Sequence, residues 1–228
     1  MKKSLILICS SLCLLLSACN NSQGSNGDDN NPPTPVDDNT EQFVVDFGTF
    51  EFSGNSKEVS TTSSTFNEQV KSFVNTKIGG EYVSEVSSAS YVGLKKISFN
   101  EKTGLDGFNT LQLSSGSVAG SISLTFSKKL VSVTLDCQAY YNAFMRTWEL
   151  EEGEDPYVCY SIDLDTTFKV NEELWTLPSV THDESNQSYV MPQKETKTFS
   201  VNANTLTIED DENLGRAFIH KMTLSFEK

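Results

Sequence analysis

Histidine is scarce in this chain: His182 and His220 are the only two in 228 residues. Gly-x-Ser-x-Gly, His-Glu-x-x-His, Cys-x-x-Cys and phosphate-loop patterns are all absent, which removes the common nucleophile, zinc, redox and nucleotide signatures. His182 falls in the polar stretch Thr181–Ser185. His220 falls in the last apolar segment, on the parity of Met222, Leu224 and Phe226. Neither carries a catalytic constellation, and a protein without enzymatic activity is expected. Positive charge is also short, with 17 Lys and Arg against 31 Asp and Glu and a net charge of -14. A surface this acidic repels the polyanionic backbones of nucleic acids and anionic membranes, so nucleic acid is not expected as a partner. No apolar run reaches the ~18–20 residues of a membrane-spanning helix.

The longest apolar run instead follows Met1-Lys2-Lys3 and extends from Leu5 to Leu16. A basic start and a run this short describe a secretory leader. It ends on Leu16-Ser17-Ala18-Cys19, the pattern of a bacterial lipoprotein cleavage box. Residues 1–18 are therefore expected to be removed and Cys19 to carry fatty acyl chains, palmitate among them, that moor the protein to a membrane. Without Lys2 and Lys3 the charge becomes -16. Asn20 is not the aspartate that retains lipoproteins at an inner membrane, so the expected location is extracytoplasmic, on the cell membrane or the outer membrane.

Cysteine is sparse as well. Of five, Cys9 and Cys13 leave with the leader and Cys19 takes the lipid, so only Cys137 and Cys159 remain. An extracytoplasmic setting permits a bridge. However, Cys137 is in phase with the apolar set Val131, Val133, Leu135, whereas Cys159 is in phase with polar neighbours. Partners on opposite strand faces do not bridge, so Cys137 reads as a small buried thiol.

Residues 19–40 are rich in Asn, Ser, Gly, Asp and Pro and have no apolar period. They read as a disordered tether. About twenty such residues at ~3 Å each reach tens of ångströms from a lipid surface. Residues 41–228 are a normal length for one domain.

Within that domain the apolar residues recur at period two. Phe43-Val45-Phe47, Ile122-Leu124-Phe126, Val131-Val133-Leu135-Cys137, Phe168-Val170, Leu206-Ile208 and Met222-Leu224-Phe226 alternate with Ser, Thr, Lys and Asp. Lys128-Lys129 reads as the turn between the second and third of these runs. Many strands with one wet and one dry face predict an all-β fold, an antiparallel β-sandwich. One helix interrupts it. Thr65-Phe66-Asn67-Glu68 has capping-box spacing, Phe66, Val70, Phe73 and Val74 form an apolar stripe, and Gly79-Gly80 stops it.

Leu111-Gln112-Leu113 with Gly120–Phe126, Val131–Leu135 and Arg216–Leu224 resemble the galactose-binding-like, jelly-roll β-sandwich modules on surface proteins of gut bacteria. The resemblance covers about a third of the domain and implies either glycan binding or a spacer role. It lies in core strands, so no binding residue carries over.

Two constellations remain as candidate sites. Tyr140, Tyr141, Phe144, Trp148 and Tyr157 crowd one connection, and Trp175 follows another strand. Aromatic rings in loops are sugar platforms because a flat ring covers the apolar face of a pyranose, although core packing also accounts for such rings. The acidic runs Glu149–Pro156 and Glu209–Asn213 lack the spaced pattern of a dedicated calcium loop. They read as solvated turns or, at Glu209, Asp210 and Asp211, as calcium ligands; no other cofactor is called for. Asp163 and Asp165 share one strand face and cannot flank a glycosidic bond. The expected function is a lipid-anchored module that binds a glycan or serves as a structural subunit with an envelope protein as partner.

Overall fold

Alternating apolar residues form strands because one pleated face can then be dehydrated while the other stays in water. A computed structural model of the chain describes residues 39–97, 107–115, 118–140, 166–178, 193–210 and 215–228 in full, and 143–145, 157–159, 181–183 and 188–190 by backbone alone. The leader, the cleavage box and nearly all of the tether lie outside the described residues.

The all-β expectation holds: among the described residues every strand pairing is antiparallel, and one α-helix is present. The strands are β1 (Thr40–Asp46), β2 (Glu58–Ser60), β3 (Val83–Ser90), β4 (Val92–Ile97), β5 (Phe108–Leu113), β6 (Gly120–Ala139), β7 (Ala143–Met145), β8 (Tyr157–Cys159), β9 (Thr166–Val170), β10 (Glu173–Leu177), β11 (Thr181–Asp183), β12 (Ser188–Val190), β13 (Glu195–Asp210) and β14 (Ala217–Glu227). A ten-stranded curled sheet runs β10-β9-β13-β6-β14-β5-β4-β2, with β1 added to β14 and β3 to β6. Two small ladders, β7 with β8 and β11 with β12, complete the set. His182, expected in a loop, therefore lies on a short strand, paired with Tyr189.

Lys128-Lys129 is not a turn. β6 runs unbroken for 20 residues, and the change of phase that suggested a turn is a bend. Its core-facing positions pass from Ile122, Leu124, Phe126 and Leu130 to Val133, Leu135 and Cys137, while Val131 is only half-buried. The partner strand slips at the same level, between Ser200, Ala203 and Thr205, and β14 slips between Ser225 and Phe226. An extra residue in a strand reverses the faces of everything beyond it, so a bulge and a turn leave the same parity signature. At the bend the Phe126 carbonyl accepts from Asn204 Nδ2 at 3.2 Å.

One buried cluster collects side chains from both halves of β6, from β13 and β14, and from the helix α1 (Phe66–Lys77). Phe226 is fully buried, its ring centre 5.1 Å from Phe126, 5.4 Å from Tyr82 and 6.1 Å from Phe43. Helix α1 buries Phe66, Val70 and Val74 and packs on β3 and β1. Its expected capping box does not form. Thr65 has helical backbone angles and accepts from the Gln69 side chain at 2.9 Å instead of capping the helix amides. Gly79, at φ +69°, ends the helix as expected, with the Gly80 amide returning to the Asn75 carbonyl.

Candidate functional site

The expected aromatic platform divides. Trp175 is 7% exposed and packs at 5.4 Å from Phe168 and 5.6 Å from Phe199. It is a core residue and offers no face to a ligand. Its alternation with exposed Leu174 and Thr176 puts it on the dry side of β10. Tyr141 and Trp148 lie outside the described residues. Phe144 and Tyr157 belong to the β7–β8 ladder, described by its backbone. Of the five rings in that connection, Tyr140 alone is described with its side chain.

The acidic choice divides too. Glu209 and Asp210 are the last residues of β13, facing Lys169 and Phe168 across the ladder. Consecutive strand residues point to opposite faces, and here Asp210 is buried while Glu209 is half-exposed. The two therefore do not converge on one ion. Asp211, Asp163, Asp165 and the run from Glu149 to Pro156 lie outside the described residues. Among the described residues no group of three or more His, Cys, Asp and Glu converges. Cys137 is a free, fully buried thiol, and burial raises its pKa well above the ordinary value, leaving it unreactive. The side chain of Cys159 lies outside the described residues.

Tyr140 opens onto a feature the sequence does not announce. The Arg216 guanidinium lies over its ring, 3.9 Å from the centre, and Phe218 packs 5.2 Å from the same ring. Phe108 continues the column at 5.3 Å from Phe218 and 4.7 Å from His220. Phe218 and His220 are buried but stand apart from the main core cluster. The cause is a register slip between Ile219 and Lys221, which gives Ile219 and Met222 to the core and leaves His220 out of it. The expectation that His220 shares the face of Met222 is thereby corrected; alternation does not survive a bulge.

His220 Nε2 donates to Gln138 Oε1 at 3.1 Å. Burial foremost, then the charge of Lys194, lowers the imidazole pKa to about 4. The unfolded ring titrates near 6.5, so the unfolded chain binds the extra proton first as pH falls. Stability from this group is complete above about pH 6.5 and is lost between there and about pH 4, on the order of 2–3 kcal/mol in all. His220→Gln is expected to flatten this part of the stability–pH curve, measured by urea unfolding from pH 7 to pH 4. An unchanged slope would show that the native ring protonates as readily as the unfolded one.

A second feature flanks α1. The stripe drifts from Phe66 through Val70 and Val74 to Ile78, leaving Phe73 half-buried at its edge, beside Gln69 and Thr76. Phe73 meets the segment after β1, packing 5.3 Å from Phe50, which in turn packs 4.9 Å from Phe52. Asn109 Nδ2 donates to the Phe50 carbonyl at 2.9 Å and pins this segment to β5. The result is a shallow groove of about 490 Å³ with Phe50 and Phe73 among its walls and Glu51, Gln69 and Lys77 at its rim. The Lys77 ammonium stands 5.3 Å from the Phe73 ring centre. Apolar ring surface beside a carboxylate, an amide and an ammonium is the composition of a small-ligand site. The sequence signal for it was the off-centre position of Phe73 in a stripe otherwise read wholly as packing.

No family model matches the chain, and no curated protein is similar to it at a significant level.

Proposed function

We propose that this protein is an extracytoplasmic lipoprotein, moored through Cys19, whose body is a galactose-binding-like β-sandwich that binds carbohydrate without chemical turnover. The Leu16–Cys19 box and the tether support the anchoring. The single observation that supports ligand binding is the groove beside α1. Phe50 and Phe73 offer apolar ring surface to a pyranose, and Glu51, Gln69, Thr76 and Lys77 offer hydrogen-bonding groups to its hydroxyls. The rim holds one acid and one base, which suits a neutral polysaccharide better than a polyanion.

Electrophoresis of the full chain through native gels containing neutral polysaccharides tests this directly. At least one polymer is expected to retard the protein, and Phe73→Ala is expected to weaken retention roughly three- to tenfold, the value of a ring contact of about 1 kcal/mol. Gln69→Ala is the companion variant, since it removes an amide without touching the core. No retardation by any polymer, or full retention by both variants, would rule the groove out.

One observation favours the second reading, a structural subunit. Leu174 is 51% exposed on β10, which ends the sheet order, and Val44 is 50% exposed on β1. Exposed apolar residues on strands at a sheet edge suit pairing with another chain. Recovery of one fixed envelope protein with the native chain, and no glycan, would decide for it.

A further inference from the structure

The groove of Phe50 and Phe73 is one of two that share a wall. Glu68, Ser72 and Thr76 follow one another by single turns along the exposed crest of α1. Gln69, Phe73 and Lys77 fall on one flank of that crest, Lys71 and Asn75 on the other, as the helical repeat requires. The first flank borders the groove already described. The second borders another groove, of about 460 Å³, lined by Lys71 and Asn75 with Gly79, Gly80 and Glu81 beyond the helix end. Ser72 and Thr76 line both.

The crest between the grooves is low. Ser72 and Thr76 are short, and Thr76 turns its hydroxyl back along the helix, donating to the Ser72 carbonyl at 2.8 Å. The Ser72 hydroxyl has no protein partner among the described residues, so it is open to a ligand hydroxyl. The second groove is firm at its base. Asn75 ties α1 to β3, its Nδ2 donating to the Val83 carbonyl at 3.1 Å and its Oδ1 accepting from the Val83 amide at 2.7 Å. No atom lies within 4 Å of a Cβ built at Gly79, whereas at Gly80 the Tyr82 ring edge takes that space, 2.8 Å from the Cβ position.

Charge and size define the ligand. The two rims together carry Glu51, Glu68 and Glu81 against Lys71 and Lys77. On a chain already at -14, that balance repels an anionic sugar polymer. Each groove alone has the volume of a small-ligand site. A helix with its side chains is about 10–12 Å across, so a single pyranose in one groove does not reach the other. Several linked sugars do, and the second contact then forms at the high effective concentration that the first creates. We infer that the ligand is a run of several neutral sugars laid across α1 over Ser72 and Thr76, with both grooves filled by one chain. This rests on the carbohydrate reading of the Phe73 groove and extends it from a sugar to an oligosaccharide.

The test is calorimetric titration of the full chain with cello-, laminari-, malto-, xylo- and manno-oligosaccharides, from mono- to hexasaccharide. At least one series is expected to bind, its affinity rising roughly tenfold or more from disaccharide to hexasaccharide. Ser72→Leu puts a strong helix former on the exposed crest, raises it and removes the hydroxyl. It should bring the hexasaccharide affinity down to near that of the disaccharide. Lys71 lines the second groove and not the first. Lys71→Ala should therefore weaken the hexasaccharide roughly threefold, the value of one hydrogen bond, and leave the disaccharide unchanged. If a series binds without gaining affinity beyond the disaccharide, the crossing is overturned while the carbohydrate reading stands. The same holds if Ser72→Leu and Lys71→Ala both bind the hexasaccharide like the native chain. If no series binds, the inference is overturned, and the polysaccharide gels decide the carbohydrate reading separately.

Discussion

Gly120→Ala is expected to destabilise the folded body by roughly 3 kcal/mol or more, lowering the melting temperature by about 6–12 °C for a domain of this size. Gly120 opens β6 directly beneath the link between β3 and β4. A Cβ at this position would stand 1.9 Å from the Tyr91 carbonyl oxygen and 2.8 Å from its carbon. Both are backbone atoms, so no side-chain rotation relieves the overlap. The same oxygen accepts from the Ser114 amide at 3.0 Å, and Ser114 Oγ accepts from the Gly120 amide at 2.9 Å. Displacing Tyr91 therefore loosens a buried network and not a single contact. Gly54→Ala is the control. Gly54 has φ +57° with open space around it, so the cost is only the left-handed backbone, about 1 kcal/mol. Thermal melts of the two variants should differ clearly. Equal melts would mean that the β3–β4 link does not cross Gly120.

Local periodicity made the strands legible because alternation reports directly which residues meet water. Phe168, Val170, Leu206, Ile208, Met222, Leu224 and Phe226 are all core residues, as their parity requires. The same reasoning failed wherever the chain slips by one residue. Lys128-Lys129 mimics a turn, and His220 mimics a partner of Met222, for one physical reason: a bulge changes parity without leaving a residue signature of its own. The helix shows the same limit. Gly79 and the stripe stopped and oriented it correctly, but Thr65 bonds to Gln69 and not to the helix amides. A capping motif states which bonds are available, not which are chosen.

The candidate sites were less legible, because they are assembled by topology. Arg216 and Tyr140 come from separate places in the chain, and their stacking follows from the pairing of β14 with β6. Local pattern has no access to that pairing. The chemistry of Trp175 suggests a ligand platform, yet parity alone places it on the dry face of β10. Phe73 was the converse, assigned to packing by spacing although it sits at the stripe's edge, where a helix face meets solvent.

The largest effect expected of any single residue belongs to Cys19. Two or three acyl chains of about fourteen methylenes each, at ~0.8 kcal/mol per methylene, would contribute roughly 20–35 kcal/mol of membrane affinity. Cys19→Ser removes the thiol that would carry them, so incorporation of labelled palmitate should fall to background. The most direct measurement is the mass of the amino-terminal peptide of native protein extracted from membranes. Lipidation predicts a peptide that begins at Cys19 and carries the added mass of the acyl chains. An unmodified Cys19, or a chain that still begins at Met1 with Leu5–Leu16 intact, would contradict the anchoring on which the proposed function depends.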